Sequence, residues 1–151
     1  MSTEKIIFRA MQEEESTAIA EMMKALYRSL EAPDDYMTDE KIAATFKAFR
    51  LGHIKIEVFE QNKFIVGYAL LFEFWYNEYG GMVLNIDELY VKPDFQGQGI
   101  SSLYLSELNK KRENYVALSM EVLPQNKKAY SLYKKLGYEE KETITLHKLL
   151  E

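Results

Sequence analysis

The sequence predicts a mixed α/β domain, a single and mostly antiparallel central sheet flanked by helices. Three observations carry this prediction. The apolar residues recur with a period of 3.6 in some segments and 2 in others. Glycine, proline and helix-capping residues sit where one period gives way to the other. The length of 151 residues suits one domain, residues 1–151, able to bury roughly 70% of its unfolded surface.

The elements follow in order. Residues 6–9 form a short apolar run that starts a sheet. Across residues 13–30, Ala18, Ile19, Met22, Met23, Leu26 and Leu30 give an amphipathic helix, broken by Glu31-Ala32-Pro33-Asp34-Asp35. Thr38 followed by Asp39 and Glu40 is a helix start, and Ile42, Ala43, Phe46 and Phe49 give that helix an apolar stripe that Gly52 closes. Ile54, Ile56 and Val58, then Phe64, Val66 and Tyr68, read as two strands joined by a turn at Gln61-Asn62, the second running on to Tyr76. Residues 82–91 are a further strand, stopped by Pro93, which cannot donate to a sheet ladder. Ile100, Leu103, Tyr104 and Leu108 share one helix side, and Val116, Leu118, Met120 and Val122 alternate as a strand. Asn126 caps a helix that presents Ala129, Leu132, Tyr133 and Leu136 and ends at Gly137. Residues 138–150 read as one long or two short strands. No repeat, linker or low-complexity stretch interrupts this order.

Composition removes several classes of function. There is no cysteine, hence no disulfide, no thiolate metal site and no catalytic thiol. Two histidines, His53 and His147, make no three-histidine metal site, so no metal is expected. A formal charge of −5 argues against a nucleic-acid partner, which needs a basic face, and leaves room for a cationic substrate. The first eight residues carry Glu4 and Lys5 and lack a long apolar core, and the apolar stretch at residues 64–71 is too short to span a bilayer. A cytoplasmic protein without a membrane partner is the expectation.

Chemistry concentrates in Ile86-Asp87-Glu88-Leu89-Tyr90-Val91-Lys92-Pro93-Asp94-Phe95-Gln96-Gly97-Gln98-Gly99-Ile100-Ser101. A strand ends, a glycine loop follows and a helix begins. Such a junction offers unpaired amides and the positive end of a helix dipole to a phosphate. It is not a Walker loop, which needs a lysine at the helix start, nor a dinucleotide fingerprint, which needs glycine where Ser102 stands.

The pattern Gln96-x-x-Gly99-x-Ser101 resembles the pyrophosphate-binding loop of the GCN5-related N-acetyltransferases (GNAT family), in which the last position is Gly or Ala; Ser101 departs from it but is small. Asn126, Ala129, Tyr133, Gly137 and Tyr138 resemble the family's later segment, where an Asn contacts the cofactor and a Tyr seven residues on is the general acid. The resemblance implies the acyl-CoA N-acyltransferase fold, acetyl-CoA as co-substrate and a homodimer. It places cofactor contacts at Leu89, Tyr90, Val91, Gln96, Gly97, Gln98, Gly99, Ile100, Ser101, Asn126 and Tyr133. It also implies a bulge near residues 89–91 whose main-chain amide stabilises the oxyanion.

Acetyl transfer to an amine needs a free-base nucleophile, an oxyanion site and a proton for the leaving thiolate. A primary amine with pKa about 10.4 arrives charged, so a carboxylate or its bound water must take a proton. Glu88 is the first candidate, Glu121 the second and Asp87 the third. Strand alternation sends Asp87 and Glu88 to opposite faces unless a bulge intervenes. Tyr133 is the candidate acid. With no thiol available, direct attack in a ternary complex is the simpler path.

The acceptor site is expected between the first two helices and residues 72–79, where aromatics mix with Asp34, Asp35, Glu73 and Glu78, a combination that suits a cationic amine. Phe72-Glu73-Phe74-Trp75 resembles the polyamine and diamine acetyltransferases, so a small polyamine- or aminoglycoside-like acceptor leads. A protein or peptide acetyltransferase and a non-catalytic acyl-CoA-binding module are the alternatives. Lys127 and Lys128 read as solvated helix-start lysines.

Overall fold

The computed structural model describes residues 5–151. Chain contacts divide it into two compact units, Met1–Glu121 and Val122–Glu151. The first holds β1 (Ile7–Ala10), α1 (Ser16–Ser29), α2 (Asp39–Arg50), β2 (Lys55–Gln61), β3 (Phe64–Tyr76), β4 (Gly81–Val91), α3 (Ile100–Asn109) and β5 (Ala117–Met120). The second holds α4 (Lys127–Lys135). The five strands form one sheet in the order β1-β2-β3-β4-β5. Every pair is antiparallel except β4 with β5, which α3 joins in parallel.

Local chemistry explains the starts and turns. Before α1, Gln12 and Glu15 form a reciprocal capping box that satisfies backbone amides the first turn leaves open. Arg9 on β1 locks the same turn to the sheet: its guanidinium donates to both carboxylate oxygens of Glu15 at 2.9 and 2.7 Å and to Glu60 on β2 at 2.9 Å. Thr38 Oγ1 accepts from the Lys41 amide at 3.2 Å and caps α2. The β2–β3 turn falls at Asn62 and Lys63, one residue beyond the expected Gln61-Asn62. Both have positive φ, 53° and 67°, as a two-residue hairpin turn of right-handed strands requires, and Gln61 instead pairs with Phe64 as the last rung.

Alternation along the strands divides the core between the two sheet faces. Ile19, Met22 and Met23 of α1 and Ile42 and Phe46 of α2 bury against Ile56, Val58, Tyr68, Leu70 and Tyr90. On the other face the Tyr104 ring of α3 lies 4.6 Å from Phe59 and 5.1 Å from Phe8, centroid to centroid.

Two expectations fail. Strand β5 spans Ala117–Met120 only, leaving Val116 and Val122 outside it. Residues 138–150 form no strand: Ile144, Leu146, Leu149 and Leu150 are 86–91% exposed. Their alternation satisfies the period of a strand, but a strand also needs a neighbour for its backbone groups, and periodicity carries no information about that neighbour.

Strands β3 and β4 approach closely at Gly67. A methyl group at Gly67 would lie 2.4 Å from the Tyr90 carbonyl oxygen and 2.8 Å from Phe59 Cδ2. Gly67→Ala is therefore expected to destabilise the chain by about 2 kcal/mol through overpacking, read as a lower urea midpoint with unchanged m-value.

Candidate active site

The site starts from one extra residue in β4. Leu70 pairs with Glu88 while Leu71 pairs with Ile86, so Asp87 has no partner on β3 and forms a bulge. One inserted residue inverts the alternation beyond it. Ile86 faces one side of the sheet and Glu88, two residues on, faces the other, with Leu70, Tyr68 and the helices α1 and α2. The bulge thus lies at Asp87 instead of the expected residues 89–91. Beside it the sheet opens: β5 pairs with β4 only from Val83↔Ala117 to Ile86↔Met120. Leu89, Tyr90 and Val91 therefore lie beyond the last rung with β5.

Glu88 is 8% exposed and held from two sides. Tyr27 of α1 donates its hydroxyl to Oε2 at 2.7 Å, and Tyr68 of β3 donates to Oε1 at 2.7 Å. Burial pushes the Glu88 carboxyl above its ordinary value, and the two phenols pull it back down. Asp87 is more open; desolvation raises its carboxyl first, and the negative charge of Glu121 adds to this. Glu121 itself is exposed, immediately beyond β5. The three candidate carboxylates are thus set apart: one enclosed and clamped, two more open and mutually repelling.

At the end of β4 the chain makes a 3-10 turn over Pro93–Phe95 and reaches the glycine loop. Gln96 donates its side-chain amide to the Val91 carbonyl at 2.9 Å, so it pins the loop to the strand end. Gly97 and Gly99 have φ of 80° and 78°, and a Cβ at either would meet nothing within 4 Å. Leu103 is the first amide of α3 to find a backbone carbonyl, that of Gly99. The amides of residues 97–102 accordingly have no backbone acceptor among the described residues, while Ile100 is buried and anchors the helix start. Ser101 is half-buried beside it. Open space over left-handed glycines, ringed by unpaired amides, fits a pyrophosphate. A groove of about 1340 Å³ also reaches Gly97, Gln98 and Gly99, but it runs between β1 and α3 on the sheet face opposite Glu88.

In the second unit, Asn126 caps α4 by accepting from the Ala129 amide at 3.3 Å. Tyr133 is half-buried and burial raises its phenol above the ordinary value, which keeps it protonated at neutral pH. Its ring lies 6.0 Å from that of Tyr138, whose buried hydroxyl has no hydrogen-bond partner among the described residues and is pushed up to about 12. Lys127 and Lys128 are exposed.

The expected acceptor residues are partly redistributed. Phe72, Phe74 and Tyr76 follow Tyr68 and Leu70 on the sheet face that carries Glu88, with neighbouring ring centroids 6.1 and 6.0 Å apart, and Tyr79 continues the row at 4.6 Å. Glu73 points the other way and is engaged by Tyr115 at 2.7 Å and Lys55 at 3.4 Å. Asp34 lines a 400 Å³ cavity at the α1–α2 junction with Lys24, Tyr27, Arg28 and Asp39. The residues that sequence reasoning missed are Tyr27 and Tyr68. Tyr27 extends Ile19 and Met23 at four-residue spacing, a signal that it faces the sheet, but nothing local says that a carboxylate waits there.

Comparisons with known proteins bear on the family and the fold. Residues 53–140, more than half the chain, match the family model described as an acetyltransferase (GNAT) domain. A thialysine N-epsilon-acetyltransferase of Bos taurus is 35% identical over 79 residues, covering 51% of this chain and 46% of that protein. The chain spans about half the length of the curated relatives it matches. Among solved structures, a possible acetyltransferase from Clostridium difficile 630 superposes with a TM-score of 0.82 at 22% identity, over 97% of this chain and 99% of that one. An aminoglycoside N-acetyltransferase in complex with CoA gives 0.74 at 16% identity, over 98% and 97%. The resemblance read from the glycine loop thus extends to the whole architecture, and the chain belongs to the GNAT acetyltransferase family.

Proposed function

We propose that this chain transfers an acetyl group from acetyl-CoA to the primary amine of a small cationic acceptor, by direct attack in a ternary complex. The observation that carries the reading is the course of β4. It leaves β5 at Ile86, passes the clamped Glu88 and runs directly into a loop of unpaired amides. The thialysine acetyltransferases and the CoA-bound aminoglycoside acetyltransferase among its relatives support the amine as acceptor.

In this reading the amides of residues 97–101 and the positive end of α3 hold the pyrophosphate, with Gln96 fixing the loop. Main-chain groups at Leu89, Tyr90 and Val91 orient the thioester and receive the oxyanion. Glu88, directly or through a water, takes the ammonium proton so that the nitrogen lone pair can attack the thioester carbon. The C–S bond then breaks; the departing thiolate takes a proton from the acid that the family resemblance assigns to Tyr133, and the second nitrogen proton, shed as the amide forms, returns to that phenol through solvent. Glu121 and Asp87 supply negative charge near the carboxylate. The aromatic row of Phe72, Phe74 and Tyr76 supports the acceptor's alkyl and cationic portions.

Five outcomes check this. Gly97→Val places a branched side chain in the open space over the loop and is expected to weaken CoA binding by calorimetry at least about tenfold, or about 1.4 kcal/mol; because Gly97 has φ of 80°, which a β-branched residue resists, a lower unfolding midpoint is expected with it. Glu88→Gln is expected to lower kcat about 10²-fold with CoA affinity retained. Because the base must be ionised, kcat/KM of the wild type should climb as pH rises through the Glu88 titration, above the ordinary carboxylate range. The variant should lose that limb. Tyr133→Phe should likewise cut kcat while leaving CoA binding intact. Release of free CoA across a panel of polyamines, aminoglycosides, lysine analogues and peptides identifies the acceptor; turnover confined to peptides would overturn the small-amine reading.

A further inference from the structure

The buried carboxylate of the sheet, Glu88, owes its orientation in part to a residue on a different element. Tyr27 sits near the end of α1, is half-buried and donates to Glu88 Oε2 at 2.7 Å. The same residue lines the 400 Å³ cavity at the α1–α2 junction, together with Asp34 and Asp39. Its ring packs 5.5 Å from that of Tyr36, which itself lies under the Lys41 ammonium at 4.5 Å. Tyr68, the other donor to Glu88, is fully buried and lines no cavity among those described. One phenol therefore belongs to the core, and the other stands between the carboxylate and an opening.

We propose that Tyr27 is a positioning residue of the acetyl-transfer site, fixing the orientation and ionisation of Glu88 and linking that carboxylate to the α1–α2 cavity. This rests on the reading of Glu88 as the proton acceptor and adds to it the residue that sets when Glu88 can accept. A hydrogen bond to the ionised form stabilises that form. The groups facing Glu88 are Tyr27 from α1, Tyr68 from β3 and Asp87 from β4 itself. Asp87 disfavours the charge and the two phenols favour it, so losing one phenol leaves burial and Asp87 less opposed. The titration of Glu88 then moves up, and at a given pH less of the enzyme holds a competent base. Without Tyr27 the Oε2 oxygen also loses the bond that fixes its direction.

The test is a carbon-13 carboxyl titration of the full chain labelled at glutamate, with Glu88 assigned by its disappearance in Glu88→Gln. In Tyr27→Phe the Glu88 titration is expected to rise by about one pH unit, the size expected for a hydrogen bond to a charged group. The acid limb of kcat/KM should move with it, while KM for acetyl-CoA stays put. A Glu88 titration that does not move in folded Tyr27→Phe overturns the proposal. A carboxyl titration that moves while the kinetic limb stays leaves Tyr27's hold on Glu88 standing and overturns Glu88 as the base, so the two failures are distinguishable. Should Tyr27→Phe not fold, the wild type decides: the Tyr27 hydroxyl proton resonance should shift with the midpoint of Glu88, and an independent midpoint overturns the proposal.

Discussion

A single inserted residue, Asp87, sets the geometry on which the rest of this site depends. Without it, β4 would keep one phase along its length, and Ile86 and Glu88 would share a face. With it, Ile86 stays in the apolar core while Glu88 enters the opposite face against α1. The same distortion lies beside the last rung between β4 and β5, at Ile86↔Met120. Bulging and loss of pairing are linked physically: the extra residue twists the strand, and a four-residue parallel neighbour is too short to follow it. The free strand edge and the buried carboxylate therefore come from one local event, and the glycine loop extends from the same strand.

A carboxylate taken out of water is tolerated only when it is hydrogen-bonded. Here the two donors come from elements that must be placed accurately, since phenol–carboxylate bonds of 2.7 Å leave little slack. Tyr68 is placed by sheet register. Tyr27 is placed by α1, and α1 is fixed at its start by the capping box and by Arg9, whose guanidinium joins that turn to β1 and β2. The surface-facing end of the helix thus determines where its far end delivers a hydroxyl. Methionines 22 and 23 and Ile19 supply the apolar burial that holds the helix against the sheet between these two points.

Some of this was legible in the sequence and some was not, for definite reasons. The glycine loop was legible because its conformation resides in residue identity: Gly97 and Gly99 occupy left-handed conformations that other residues resist, and Gln96 reaches back to Val91. Helices and long strands were legible from period. The face taken by Glu88 was not, because a bulge inverts parity and leaves no mark in the pattern of side chains. Tyr27 and Tyr68 were hidden for a related reason: a hydrogen bond across 61 or 20 residues is a property of register, invisible to local spacing. The tail misled in the opposite direction. Ile144 and Leu146 have the spacing of a strand, yet the described chain offers them no partner, and an alternating segment without a partner stays extended and exposed.

Two adjacent carboxylic acids are placed in different surroundings by this geometry. Glu88 is enclosed, with both oxygens engaged; burial raises its carboxyl above the ordinary value, and the two phenols oppose that rise. Asp87, on the bulge itself, stands nearer to solvent and to Glu121, and these like charges raise each other's potential without a clamp to fix either. On the proposed reading the open pair draws a cationic amine toward the strand end, where long-range attraction suffices. The proton itself is left to the neighbour whose position is fixed. An enzyme that needs both attraction and directed proton transfer gains from separating them, because a carboxylate paired tightly with its substrate's positive charge is a weaker base. The bulge achieves that separation within two consecutive residues.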